Sequence, residues 1–191
     1  MIIGLVPGSF KPYHIGHHNL VLTASKECDE VHLYVSLSDR TRKNELTVRG
    51  DDMKLIWKEF IEPILPPNVV IFYGGSPVGN VWKELENANK NSLNHTYVLY
   101  GDKEDITTFS SESLNKYANN LYAAGKIKFR PVERLGSGTK MRQLVQAGNK
   151  AEFIKNMPAE IDASAVFDIL SKRVQSEQLI RQFVKVLIHK R

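Results

Sequence analysis

A short apolar run, Ile2 to Val6, gives way to Gly8-Ser9-Phe10-Lys11-Pro12-Tyr13-His14-Ile15-Gly16-His17. Behind it Leu20, Val21, Ala24 and Cys28 continue at helical spacing. Val31 to Leu37 then reads as a second strand, so the first forty residues predict a βαβ unit and, with it, a parallel sheet. The loop between strand and helix is suited to an anion. Its glycines let main chain approach a ligand closely, and the helix opening near Gly16 turns unpaired N–H groups and a positive dipole end toward it. His14 and His17 are three residues apart, which puts both imidazoles at that helix end, where a ring N–H can donate to phosphoryl oxygen. His18 reads as an ordinary surface histidine. A zinc site is disfavoured, because the HExxH arrangement and any cysteine-rich partner are missing.

The chain has 191 residues, 42% of them hydrophobic, which suits a single domain with a real core and a helical extension. Cys28 is its sole cysteine, so no internal disulfide can form and a reducing compartment is expected. A strand-like start without a basic leader, and no apolar run near the roughly 20 residues that span a bilayer, lead to an expectation of a cytoplasmic protein without a membrane span. The net charge of +5 and a sequence pI of about 9.2 suit a polyanionic partner. The basic clusters Arg40-Thr41-Arg42-Lys43 and His189-Lys190-Arg191 lack interleaved aromatics, which argues for a triphosphate rather than nucleic acid.

Along the chain, strand and helix patterns alternate. The polar segment Ser38 to Glu45 follows the second strand at its carboxyl end, where open α/β sheets bind ligands, so its cations, Lys43 among them, are candidates for substrate phosphate. Thr47 can cap a helix whose stripe is Met53, Ile56, Trp57, Phe60 and Ile61, ending at Pro63. Val69 to Tyr73 is a third strand, Gly74 to Asn80 a loop, and Val81 to Lys90 a helix. Trp82 on it is either core or a platform for the acceptor. Thr96 to Tyr100 is a fourth strand running into Gly101-Asp102. Ser110 or Ser111 caps a helix that Gly125 stops, and Ile127 to Val132 is the fifth strand. Five such strands give a doubly wound, Rossmann-like sheet, and the order 3-2-1-4-5 brings the segments after the first and last strands to one cleft. Lys150 to Arg191 is helical in pattern apart from Pro158. Residues 1–158 are therefore taken as the domain and 159–191 as a helical extension that covers the sheet or a subunit interface, in a homo-oligomer. The stripe from Leu179 to Ile188 also fits a cationic membrane-surface helix.

The first stretch, read as GxFxPxHxGH, resembles the signature of the HxGH nucleotidyltransferase superfamily, also called cytidylyltransferase-like. The resemblance extends in motif order to about residue 158. Gly101-Asp102 resembles the GxD element with which that family contacts the nucleoside, and Leu46-Thr47-Val48-Arg49 is similar to a region whose arginine reaches the acceptor. Gly136-Ser137-Gly138-Thr139-Lys140-Met141-Arg142 resembles the family's ISSTxxR or ISGTxxR element. It is not a P-loop, which needs Gly-Lys-Ser/Thr and an earlier glycine where this chain has Glu133. Two departures stand out: Lys11 where Asp or Gln is common, and Gly136 in place of Ile or Val.

The resemblance implies transfer of a nucleoside monophosphate from a nucleoside triphosphate to a phosphorylated small molecule, releasing pyrophosphate, with Mg2+ carried by the triphosphate. It implies catalytic roles for His14, His17 and Arg142, and Lys11, though a departure from the pattern, is placed to balance charge on the pyrophosphate as a further catalytic residue. Nucleotide contacts would come from Gly8, Ser9, Phe10, Gly16, Gly101, Asp102, Ser137, Gly138, Thr139 and Lys140, and acceptor contacts from Lys43, Arg49 and Trp82; no protein-held metal is expected. The Thr139xxArg142 form is most similar to nicotinamide mononucleotide adenylyltransferases, which favours ATP over CTP. Cytidylyltransferase and pantetheine-phosphate adenylyltransferase remain alternatives. From other classes, a non-catalytic nucleotide sensor stays open, as does a tRNA-linked protein, since His14-Ile15-Gly16-His17 spells the HIGH element of class I aminoacyl-tRNA synthetases.

Overall fold

The computed structural model describes residues 1–43 and 45–172. Five strands, β1 (Ile2–Gly8), β2 (Glu30–Val35), β3 (Val69–Tyr73), β4 (Thr96–Gly101) and β5 (Ile127–Pro131), form one parallel sheet in the order β3-β2-β1-β4-β5. This is the order that the alternating pattern predicts. The sheet reverses its direction of winding at β1, so the crevice beyond the carboxyl ends of β1 and β4 is where a ligand is expected.

Alternation along each strand feeds two cores. On one face Val6, Val31, Leu33 and Val35 pack with α1 (Ile15–Glu27), α2 (Gly50–Ile56), α7 (Gly138–Gln146) and α8 (Lys150–Lys155), through Val21, Met53, Met141 and Phe153. On the other, Ile3, Leu5, Tyr97 and Leu99 meet α3 (Pro77–Lys90), α5 (Ser111–Tyr117) and α6 (Asn119–Ala123), through Leu85, Leu114 and Leu121. Fully burying side chains of this size contributes roughly 1.5–3 kcal/mol each. Residues 163–172 are helical, and Val166, Phe167 and Leu170 join the first core beside Met157 and Ile161. The apolar packing therefore runs across position 158. Residues 173–191, with the Leu179 to Ile188 stripe, lie outside the described residues.

Several local expectations change. Thr47 caps no helix: α2 begins at Gly50 after Arg49, and the Asp39 carboxylate accepts from the Gly50 N–H at 2.8 Å. A Cβ at Gly50 would lie 1.8 Å from the Leu37 carbonyl oxygen, so the close turn there sets the helix start. The α2 path continues as a π turn over Trp57–Ile61 and a 3-10 turn over Glu62–Ile64, which contains Pro63. Helix α3 starts at Pro77, inside what reads as a loop, because the Ser76 hydroxyl accepts from the Gly79 N–H and proline suits the first helical turn. The helix capped by Ser110 is two helices, since Ala118 (φ −144°, ψ 37°) leaves helical geometry. A short helix α4 (Lys103–Ile106), capped by Asp102, follows β4.

Candidate active site

The main chain of the signature loop takes an unusual path so that its aromatic ring can be buried. Phe10 has φ 49°, and its ring turns back over Gly8, where a Cβ would meet it at 2.4 Å. Only glycine at position 8 admits that packing. The Phe10 ring then meets His17 edge-on at 4.9 Å between centroids, while His14 and His17 stack at 3.7 Å and 24°.

His14 occupies the N-cap of α1, a place usually held by a small oxygen-bearing side chain. Its Nδ1 accepts from the Gly16 N–H at 3.1 Å, which fixes the neutral tautomer with its proton on Nε2. Glycines flank the ring: a Cβ on Gly16 would lie 3.0 Å from it, and one on Gly136 would lie 3.0 Å from its Nδ1. Burial, with the Arg134 charge, pushes His14 down to about 4. His17 also lies well below the ordinary histidine value, through burial first and then His14 and Arg134, and its Nδ1 is enclosed without a hydrogen-bond partner among the described residues. Both rings are thus neutral near pH 7, since two imidazoliums in stacking contact would repel each other. His18, expected at the surface, is instead buried and bonded to the Tyr13 hydroxyl at 3.2 Å, because α1 turns it toward the core.

Lys11 is 4% exposed, and its ammonium donates to the Ser36 and Ser38 hydroxyls at 3.0 and 3.4 Å. Burial first, then the Arg40 charge, lowers its pKa, against a raising effect from Asp39. Arg142, from the second motif, is 3% exposed. It donates to the Lys11 carbonyl at 2.8 Å, the Thr139 hydroxyl at 2.9 Å and the Glu45 carboxylate at 3.0 Å. Gly138 leaves room for that contact, since a Cβ there would sit 3.2 Å from Arg142 Nη1. Glu45 also takes the Arg40 guanidinium at 3.2 Å and so joins two arginines.

These groups surround a cavity of about 620 Å3 at the carboxyl ends of the strands. Gly8, Ser9, Phe10, Lys11 and His17 wall it from the first motif, Gly138, Thr139 and Arg142 from the second, and Gly101 from the end of β4. A small cavity of about 90 Å3 lies beside it, lined by His14, Gly16 and Asp102, and by the loop from Val132 to Gly136. The two segments thus converge on one space although more than a hundred residues separate them.

Five expected residues wall neither cavity. Ser137 caps α7, its hydroxyl accepting from the Lys140 N–H. Lys140 pairs with Glu152 at 3.3 Å, and Arg49 with Asp39 at 3.8 Å. Trp82 packs on Phe109 and Tyr117 at 5.2 and 5.6 Å, and Lys43 lies one residue beyond Arg42, the last of its loop on the wall. Other residues take such places. Arg134 lines both cavities while donating to Asp102 at 3.1 Å, and Ser36, Ser38, Arg40 and Arg42 stand where β2 ends. Position after a strand end signals the β2 group, but nothing in the sequence marks Arg134 or Glu45. Among the described residues no group of three or more His, Cys, Asp or Glu side chains could hold a metal ion, and no helix is long and apolar enough to cross a membrane.

No protein-family model and no curated protein matches this sequence. Among solved structures, the chain is similar to a bifunctional NMN adenylyltransferase/ADP ribose pyrophosphatase from Francisella tularensis. The TM-score is 0.59 at 14% identity, covering 98% of this chain and 56% of that one. The structure of such an enzyme from that organism complexed with AMP and a manganese ion gives a TM-score of 0.57 at the same identity and coverage. Thermotoga maritima TmcAL bound with alpha-thio ATP gives 0.49 at 12% identity, over 92% of this chain and 56% of that one. The chain thus spans just over half the length of the Francisella chain. With its strand order and the likeness of the Francisella structures, the chain has a Rossmann-like α/β fold, the fold of those structures.

Proposed function

We propose that this protein is a nucleotidyltransferase that moves AMP from ATP to a phosphorylated small molecule, nicotinamide mononucleotide being the favoured acceptor, with release of pyrophosphate. The observation that carries this reading is the convergence of His17 and Arg142 on one cavity, from two motifs far apart in sequence. The Francisella neighbour is named for NMN adenylyltransfer and its second structure holds AMP, which supports the choice of nucleotide.

The chemistry follows from the donors present. An oxygen of the acceptor's phosphate attacks the α-phosphorus in line, the new P–O bond forms as the bond to pyrophosphate breaks, and no covalent enzyme intermediate or net proton transfer is needed. Catalysis is positioning and charge neutralisation. Neutral His14 and His17 donate N–H to the α- and β-phosphoryl oxygens. Lys11 and Arg142 balance charge on the departing pyrophosphate, joined by the main-chain N–H groups that open α7. Mg2+ arrives on the triphosphate as part of the substrate. Cationic Arg40 and Arg42 on the β2 side suit the acceptor's phosphate, and the far wall of Pro77, Val78, Ile106 and Phe109 suits a flat, weakly polar head group better than glycerol.

The test is a pyrophosphate-release screen crossing ATP and CTP with nicotinamide mononucleotide, pantetheine phosphate and glycerol phosphate. Release with ATP and the mononucleotide is the expected result, and His17→Ala should lower it roughly a hundred- to a thousandfold. Binding of ATP without release for any acceptor, or an unaffected folded His17→Ala protein, overturns the proposal.

A further inference from the structure

The two edges of the sheet are built differently. A free edge offers unpaired main-chain groups to any other strand, and soluble proteins blunt such edges with charge or proline. Edge strand β5 is blunted in this way, since exposed Lys128 and Arg130 lie along it and Pro131 ends it. Edge strand β3, Val69-Val70-Ile71-Phe72-Tyr73, carries no charge and no proline, and β2 is its only strand neighbour among the described residues. Val70 and Phe72 belong to neither core and are 40% and 39% exposed. The Phe72 ring is nonetheless fixed, stacked on Tyr34 at 5.2 Å and edge-on to His32 at 5.1 Å.

The hydrogen-bond pattern of β3 decides which of its groups are unused. The Val31 N–H donates to the Asn68 carbonyl at 2.8 Å, and the Gly74 N–H to the Val35 carbonyl at 2.9 Å. Main-chain groups alternate in direction along a strand, so Val70 and Phe72 point theirs toward β2, while Val69, Ile71 and Tyr73 point theirs outward. The Val69 N–H is taken by the Pro66 carbonyl at 3.1 Å. That leaves the N–H and C=O groups of Ile71 and Tyr73, and the Val69 carbonyl, without a main-chain partner among the described residues.

This edge complements itself. When two copies lie antiparallel across a twofold axis through Ile71, each Ile71 N–H reaches the other copy's Ile71 carbonyl. Each Tyr73 N–H reaches the other copy's Val69 carbonyl, and the occupied Val69 N–H is not needed. Val70 then falls opposite Phe72 as a non-hydrogen-bonded pair, the closest kind, and a β-branched side chain facing an aromatic ring is a favourable cross-strand pair. Gly74 and Gly75, at φ 91° and 67°, end the strand just after the last paired residue. The same operation on β5 would set Lys128 against Arg130, an unfavourable like-charge pair. We infer that the partner of this edge is a second copy of the chain, with β3 pairing to β3 so that two sheets become one continuous sheet through an isologous interface. The pairing is independent of the transferase reading.

Sedimentation velocity of the full chain over a range of concentrations tests this, with circular dichroism as the check on folding. Wild type should be dimeric at micromolar concentration. Val70→Lys combined with Phe72→Lys, both at exposed positions, should weaken the dimer about tenfold or more, because both cross-strand pairs become like-charged. Val70→Glu combined with Phe72→Glu should do the same, and mixing the two proteins should restore a dimer. Cysteines read the register even if the charged variants fail to fold. Val70→Cys mixed with Phe72→Cys should cross-link under mild oxidation, whereas either protein alone should not, since only the opposed positions come within disulfide reach. A monomeric wild-type chain, whether another protein or the chain's own residues 173–191 covers the edge, overturns the inference. So does a folded Val70→Lys, Phe72→Lys protein as dimeric as wild type, or cross-linking of Val70→Cys alone as complete as that of the mixture.

Discussion

The guanidinium of Arg142 donates to the main-chain oxygen of Lys11 at 2.8 Å, a hydrogen bond across 131 residues of sequence. It ties the loop after β1 to the helix after β5, so the walls of the cradle have one fixed separation. Arginine alone can do this while also reaching Thr139 and Glu45, because its donors fan out in a rigid plane. Arg142→Lys keeps the charge and loses the fork. Steady-state pyrophosphate release should show kcat/KM down about a hundredfold or more, with the far-ultraviolet spectrum unchanged.

Glu45 acts on the same arginine from outside the cavity, bridging it to Arg40. In Glu45→Gln both guanidinium groups lose their shared counter-charge and gain rotational freedom, while the Lys11 and Thr139 contacts of Arg142 persist. Loosened positioning lowers rate more than stability. The expected outcome is a fall of about tenfold in kcat with a melting temperature within a few degrees of wild type; equal kcat would remove Glu45 from any positioning role.

Lys11 pulls stability and function in opposite directions. Among the described residues its ammonium has hydroxyls as hydrogen-bond partners and no ion pair, and a buried charge held so is costly. Lys11→Met removes that cost in a side chain of similar length. Chemical denaturation should show equal or greater stability, whereas pyrophosphate inhibition should weaken roughly tenfold or more, because the cation proposed to meet phosphate is gone. A variant that lost stability and kept pyrophosphate affinity would refute the assignment.

Much of this architecture is legible in the chain itself. The strands follow from short apolar runs alternating with helical stripes, since the buried face of each element writes its own periodicity, while the two motifs are legible as a resemblance and the strand order as the one that lets them meet. The side-chain partners do not. Lys140 and Arg142 are two residues apart in one motif and both cationic, yet one turns out to Glu152 and the other in to Glu45, because α7 places them about 200° apart around its axis. Arg134 reads as one more charge in a loop until the fold brings it to Asp102, 32 residues away. Trp82 is ambiguous in sequence for a like reason: its ring settles on Phe109 and Tyr117, which come from segments that only the fold makes adjacent.

The histidines titrate in opposite senses. His14 is depressed from 6.5 to about 4, so the unfolded chain takes up a proton first as pH falls. Its contribution is complete above about pH 6.5 and is lost between there and about pH 4, on the order of 3 kcal/mol. His32 is also lowered by burial, but hydrogen bonds to Glu84 and Glu30 at 2.8 and 2.6 Å outweigh this and raise it. Its contribution is complete below pH 6.5 and fades as pH rises through the raised value. Nitrogen-detected histidine NMR should show His32 titrating above 6.5 and His14 still neutral at pH 5. His14→Asn, which keeps an acceptor for the Gly16 N–H, should flatten the acid limb of the stability curve and abolish turnover.

Gly136 replaces the branched residue found at that place in the motif it resembles, and the structure gives the reason. Here the main chain runs against the His14 ring, and a Cβ would meet Nδ1 at 3.0 Å and Cε1 at 3.2 Å. The neighbour that must yield is a ring stacked on His17 and bonded to the Gly16 N–H, so it has little room to move. Gly136→Ala should therefore leave the core intact, since the loop packs no buried side chain there, and act through the main-chain strain of an alanine at φ 154° and through His14. On the proposed reading, a displacement of a few tenths of an ångström would break the alignment of Nε2–H with phosphoryl oxygen, and loss of one such donor costs about a hundredfold in kcat. Gly125→Ala, with nothing within 4 Å of the added carbon, is the control for backbone strain. If the two variants lose the same stability and the same small part of their activity, His14 does not depend on this contact. If Gly136→Ala alone loses turnover while melting like the control, the glycine is there to make room for the catalytic imidazole.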